Sequence, residues 1–308
     1  MATQAQIIEK ITELIEMRVS QWAERMPTIQ RQSYDVVLNL TADLDTDADG
    51  KIKPTAKNIR TIARIKDELN RVIFDKRYQE DLDLLLEDYD ELTKLQNQYF
   101  TATVGKFKVP SVMEQIQSLA KEAVVEQLGQ DAIGVNFVDP VKDILVKNVT
   151  TGGSRAEFIE QVREFMLDTD AGDGKLVKYT KQIVTDSLNQ YSANYNAVLT
   201  DDLGLVWYKY DGSLQDTSRP LCDALIQAKR SGCMEYIHRS QLEDIVNGYV
   251  CGERVPIYDK TGLPQGMIPG TNAANFRINR GGYNCNHALY PVSAAVVPKK
   301  LREQFANS

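Results

Sequence analysis

The chain has 308 residues, 43% of them apolar, with a formal net charge of -7 and four cysteines. That length supplies one large core or two ordinary ones, so two domains are expected, and no apolar run reaches the ~18 residues a membrane span requires. The opening MATQAQIIEK lacks the basic-then-apolar order of a secretion signal, which points to a cytoplasm, where thiols stay reduced and disulfides are disfavoured.

Charge is unevenly spread. From Arg219 onward there are 11 basic and 7 acidic residues, net +4, against net -11 for residues 1 to 218. The acidic front is unsuited to coating nucleic acid, whereas the basic end suits weak contact with phosphate.

In chain order, Ile7, Ile11, Ile15, Trp22 and Met26 recur at helical spacing and predict an amphipathic helix over residues 5 to 26 that Pro27 closes. Similar stripes predict helices at 56 to 75 (Ile59, Ile62, Ile65, Leu69) and 79 to 100 (Leu82, Leu85, Tyr89, Leu92, Tyr99). A further stripe runs through Met113, Ile116, Leu119 and Val124. Such helices are best satisfied by packing on each other or on a partner. The Thr/Gly cluster NVTTGGSR at 148 to 155 marks a boundary, which divides the chain into a helical domain over 1-150 and an α+β domain over 151-308. Two more helical patterns follow, one through Phe158, Val162 and Met166 and one beginning at Tyr179. Then LGLVWYKYDGS reads as a strand, and residues 249 to 296 are rich in Gly, Pro, Tyr and Val. The fold class is therefore expected to be α+β, helical in front, with short antiparallel strands behind.

The stretches LDTDADGKIKPTAKNI (44 to 59) and LDTDAGDGKLVKYTKQI (167 to 183) echo each other as acidic turns before a helix. The first places Asp45, Asp47, Asp49 and Gly50 as a calcium loop would, but position twelve is Ala56 where a bidentate carboxylate is needed, and Gly172 breaks the spacing of the second. The competing reading is an acidic turn at a helix N-terminus, where carboxylates suit the free N–H groups.

Enzyme motifs are missing. The chain contains no phosphate-binding glycine loop, no H-E-x-x-H, no G-x-S-x-G and no Cys-x-x-Cys. Its histidines are His238 and His287. His238 stands just ahead of Ser240, which reads as the N-cap of a helix with Glu243 at the capping-box position. His287 closes RGGYNCNH (280 to 287), where one of the four cysteines and one of the two histidines fall within three positions. Metal ligation, thiol catalysis, a disulfide and core packing all remain open for Cys285 and His287. The turn RGG is expected to use glycines at positive φ, after which Tyr283, Cys285 and His287 would alternate onto one face of a strand running into ALYPVSAAVV.

The succession YTKQIVTDSLNQYSANYN, LVWYKYDGSLQDTSRPLC, EYIHRSQLEDI and NFRINRGGYNCNHALYPVS resembles the C-terminal domain of phage minor head proteins, the Mu F-type head-morphogenesis family. The likeness covers residues 175 to 298. Asp216, Thr217, Arg219 and Cys222 match one motif, with Ser218 inserted as a departure; Arg280, Gly281, Gly282, Tyr283, Cys285 and His287 match the other. The resemblance implies a virion protein of the capsid interior rather than an enzyme. Such a protein is assembled in the host cytoplasm, associates with the portal and other head proteins, and acts in head assembly, DNA packaging or ejection. It also makes Cys222 the partner of Cys285 and His287, with Cys233 or His238 near enough in sequence to complete four zinc ligands. A metal-free buried cluster is the other outcome of the same proximity, and a metal-dependent hydrolase or nuclease carried in the head is the alternative function.

Overall fold

The computed structural model describes residues 2–167, 173–216, 218–255, 260, 262–283 and 285–306. Its helices α1 (Gln4–Ala42), α2 (Ala56–Ile73), α3 (Lys76–Val104) and α4 (Val112–Leu128) come first. Next is the short α5 (Gln130–Ile133), continued by a π turn at Gly134–Val138 into α6 (Asp139–Thr151), and then α7 (Arg155–Leu167) and α8 (Lys175–Asp202). The end of the chain is mixed: β1 (Trp207–Asp211), α9 (Pro220–Ser231), β2 (Ile237–His238), α10 (Leu242–Val246), β3 (Tyr249–Val250), β4 (Glu253–Arg254), α11 (Phe276–Asn279), β5 (Ala288–Val292) and α12 (Lys299–Gln304). The fold is α+β, helical in its first half, with a few short antiparallel strands in the C-terminal region. No helix among the described residues is long and apolar enough to cross a membrane.

Two compact units divide the chain, and the divisions fall within α1, α3, α4 and α8. One comprises Glu16–Asp88 and Lys121–Val184; the other comprises Met1–Ile15, Tyr89–Ala120 and Thr185–Ser308. The stretch at 148 to 155 lies inside the former as the turn from α6 to α7. Gly152 there takes a left-handed conformation, and Ser154 and Glu157 cap each other reciprocally.

In the 16–88/121–184 unit, Pro27 does not end the first helix. The helix runs through it to Ala42, because Ile29, Tyr34 and Val37 continue the buried stripe beyond the proline and their burial outweighs one missing backbone donor. Trp22 is fully buried and meets Tyr78 edge-on at 5.3 Å. Arg18 forms a buried, two-pronged pair with Asp88, and Arg25 reaches Asp81 at 2.8 Å. Tyr78 donates to the Leu128 carbonyl at the end of α4, and Gln30 accepts from the first turn of α8. Ile59, read from spacing as part of an apolar stripe, is instead exposed.

In the other unit, Ile7, Ile11 and Ile15 are buried, and Gln4 donates to Thr103 of α3. Polar contacts set the register of α3 against α8: Gln96 donates to Ser192 at 2.7 Å and Tyr195 to Asn97 at 2.9 Å. Tyr99 donates to the Pro291 carbonyl of β5. The sheet order is β2-β1-β5, antiparallel, pairing Trp207 with His238 on one side and with Val292 on the other. Pro291, which has no N–H, is thus on an edge strand. Leu119 of α4, also read as part of a stripe, is exposed.

The Arg18–Asp88 pair yields a direct test. Asp88→Ala strands a buried guanidinium and should lower stability by about 3 kcal/mol, read from the denaturant midpoint.

Candidate functional site

Arg219, in extended conformation, caps α9, Pro220 occupies its first position, and Cys222 follows within the first turn with its side chain turned into the core. The second strand of the site is the loop after α11. Positive φ falls at Arg280 (49°) and Gly282 (102°), not at Gly281. Arg280, buried, donates to the His287 carbonyl at 3.0 Å and closes the loop on itself. Arg219 donates to the carbonyls of Gly281 and Tyr283, tying α9 to the same loop.

These ties bring three donors together. Cys222 Sγ lies 3.9 Å from Cys285 Sγ, which lies 3.8 Å from His287 Nδ1. All three side chains are buried, and their ligand atoms fall within 4.8 Å of one another. Gly281 makes this approach feasible: a Cβ there would sit 2.4 Å from Cys222 Sγ and 3.0 Å from Cys285 Sγ. Tyr210 of β1 stacks flat on the His287 ring, centroids 5.4 Å apart, and donates to Cys222 Sγ at 3.3 Å. Gly212 backs the other part of the ring, since a Cβ at its φ of 147° would lie 2.5 Å from Cδ2. His287 Nε2 is buried with no hydrogen-bond partner among the described residues.

The thiols share a proton unequally. Donation from Cys222 draws Cys285 well below the ordinary thiol value against the effect of burial, with His287 and Arg280 acting in the same sense. That hydrogen bond, together with burial, pushes Cys222 up. Tyr210 is raised chiefly by burial and remains a donor. A cleft of about 310 Å³ opens onto Cys222, Cys285 and His287, its remaining wall formed by Ser213, Gln215, Ser218, Arg219 and Asn286.

Cys285, His287 and Cys222 therefore meet, but the expected fourth ligands do not join them. Cys233 is exposed and disulfide-bonded to exposed Cys251, with their Cα atoms 6.2 Å apart, so its thiolate is not available. The bond also overturns the expectation of four reduced thiols: Gly232 ends α9 in a left-handed turn, and Cys251 takes positive φ in the β3–β4 turn, which sets the two side chains against each other. His238 belongs to a different cluster, between Trp207 at 4.8 Å and Phe305 at 4.9 Å. It is itself the N-cap that Ser240 was expected to be, accepting from the Ser240 N–H while Gln241, not Glu243, completes the capping box.

Tyr283 does not share the buried face. It is exposed, because β5 begins only at Ala288 and residues 285 to 287 lie in the loop before it. Asp216 is exposed at the turn before α9, and Thr217 lies outside the described residues. Asp45, Asp47 and Asp49 do not form a group of converging ligand atoms among the described residues. Asp45 accepts from Thr55 and Lys57, and Asp47 accepts from the N–H groups of Asp49 and Lys51. The carboxylates are spent on the turn and on the entrance to α2, where buried Asn58 stitches Asp45 to Lys53. In the second acidic turn, residues 168 to 172 lie outside the described residues. Spacing could not identify Tyr210 or Gly212, whose roles come from the pairing of β1 with β5; the aromatic alternation in WYKYDG is the only trace of them.

No protein-family model, curated protein or solved structure matches this chain.

Two measurements probe this geometry. Gly281→Ala should force Cys222 and Cys285 apart, making both thiols reactive toward an aromatic disulfide reagent in the native protein and lowering stability by about 1–3 kcal/mol. The His238 pKa is lowered, first by burial and then by Arg239. A folded-state value below the unfolded one means full stability above about pH 6.5 and progressive loss as the pH falls through the depressed value. His238→Asn keeps a capping acceptor without a titration, so the stability of this variant should depend less on pH below that point.

Proposed function

We propose that this chain is a phage minor head protein, a structural component of the capsid interior that associates with the portal and other head proteins and does not turn over a substrate. One observation carries the reading. Residues from the two short motifs on which the family resemblance rests come together across a separation of more than sixty residues: Arg219 holds the Gly281 and Tyr283 carbonyls, and Cys222 meets Cys285. A chance scatter of weak motifs has no reason to close on itself in this way. The role is assembly of the head, DNA packaging or ejection, and the basic C-terminal segment suits a neighbourhood of packaged DNA.

Within that reading the cluster holds zinc and staples α9 to the loop before β5. Tetrahedral zinc separates two thiolates by ~3.8 Å and a thiolate from an imidazole nitrogen by ~3.5 Å, given ~2.3 Å Zn–S and ~2.0 Å Zn–N bonds. The distances of 3.9 Å and 3.8 Å are close to those edges. Elemental analysis should find about one zinc per chain in the wild type and little in Cys222→Ala.

The cleft on the cluster favours a second reading, a metal-dependent hydrolase or nuclease carried in the head. Co-purification with a portal ring and presence in purified heads are the outcomes expected of the structural protein. Metal-dependent DNA cleavage that disappears in Cys285→Ala would instead establish the enzyme.

A further inference from the structure

Structural zinc sites are closed by four protein ligands, whereas a site with three keeps one position for an exchangeable ligand. Here the described residues supply three: Cys222, Cys285 and His287. Each obvious fourth is committed elsewhere. Cys233 is in a disulfide, and His238 is capped into the Trp207/Phe305 cluster. Tyr210 spends its hydroxyl on Cys222 Sγ, to which it donates at 3.3 Å, and its ring on stacking against His287. Meanwhile the three ligands form part of the wall of the 310 Å³ cleft.

The rest of the cleft wall is chemically uniform. Ser213 and Ser218 offer hydroxyls, Gln215 and Asn286 offer amides, Arg219 brings a positive charge, and no carboxylate among the described residues lines it. Such a wall suits an anionic oxygen donor and is poorly suited to a cation or to an apolar side chain.

We infer that the Cys222/Cys285/His287 centre is an open three-ligand metal site whose fourth position faces the cleft and takes an anionic oxygen ligand, of the carboxylate or phosphate type, in exchange for water. This rests on the zinc reading above and adds a binding function to a centre that would otherwise only staple the fold. No bond other than the metal–oxygen bond changes: water leaves as the anion enters.

Cobalt(II) in place of zinc reports both steps separately in the full-length protein. Binding should produce a thiolate-to-cobalt charge-transfer band, and titration with inorganic phosphate or acetate should then shift the visible ligand-field bands saturably. Gln215→Glu, a change at an exposed wall residue, should leave the charge-transfer band intact and weaken the phosphate response several-fold. A charge-transfer band with ligand-field bands that no anion moves would mean a closed fourth position and overturn this inference while leaving the metal centre in place. A shift produced by imidazole or a small thiol, but not by phosphate or acetate, would overturn the anionic class. Absence of any charge-transfer band in the wild type would overturn the zinc reading, and the inference with it.

Discussion

The C-terminal site depends on one close approach, the seating of Cys222 Sγ against the backbone of Gly281. Only a residue without a Cβ leaves room for the sulfur at that distance, and only a loop pinned from outside can hold its backbone there. Arg219 does the pinning, three residues before the cysteine it serves, by donating to carbonyls on either side of Gly282. The helix that presents Cys222 and the arginine that fixes its target thus belong to the same turn of chain. Rigid placement of both follows from the α9 N-terminus, where Pro220 restricts φ.

The β1–β5 ladder supplies the other half of that geometry. Asp211 pairs with Ala288 at its end, so the residues just outside the ladder, Gly212 and His287, meet face to face. Tyr210, one residue inside, can then stack on the imidazole and reach Cys222 with its hydroxyl. A shift of register by one residue would turn Tyr210 to the opposite face of the strand and remove both contacts. The site is therefore a consequence of sheet register as much as of its own residues.

Elsewhere the helices are ordered by similar means. Apolar stripes drive their association but specify its register weakly, since aliphatic surfaces slide at small cost. Buried polar pairs are directional and costly to break: Arg18 with Asp88 in one unit and Gln96 with Ser192 in the other, where the half-buried pair of Tyr195 with Asn97 acts alongside. The acidic turn before α2 uses its carboxylates in the same spirit. Asp45 and Asp47 are engaged by Thr55, Lys57 and backbone N–H groups, which fixes the turn against the entrance to α2.

By itself the sequence determined the α+β class, the positions of the long helices and the strand at WYKYD, while the meeting of Cys222 with Cys285 and His287 was implied by the family resemblance. Helical periodicity is local, and the order of the two motifs carried the rest. What spacing read wrongly were features that distant packing decides. Pro27 lies within a helix because buried side chains on both sides of it outweigh one lost hydrogen bond, and a local rule cannot weigh that burial. Cys233 is taken from the metal-ligand set by Cys251, a partner 18 residues away that is brought close only by the β3–β4 turn. Tyr283 faces outward since β5 starts five residues later than alternation suggested, its extent being set by what β1 can pair with. Only the tertiary structure decided that the Cys/His centre opens on a cleft and that Tyr210 and Gly212 frame it. Those are properties of surfaces meeting across the fold, and neighbouring residues along the chain carry no record of them.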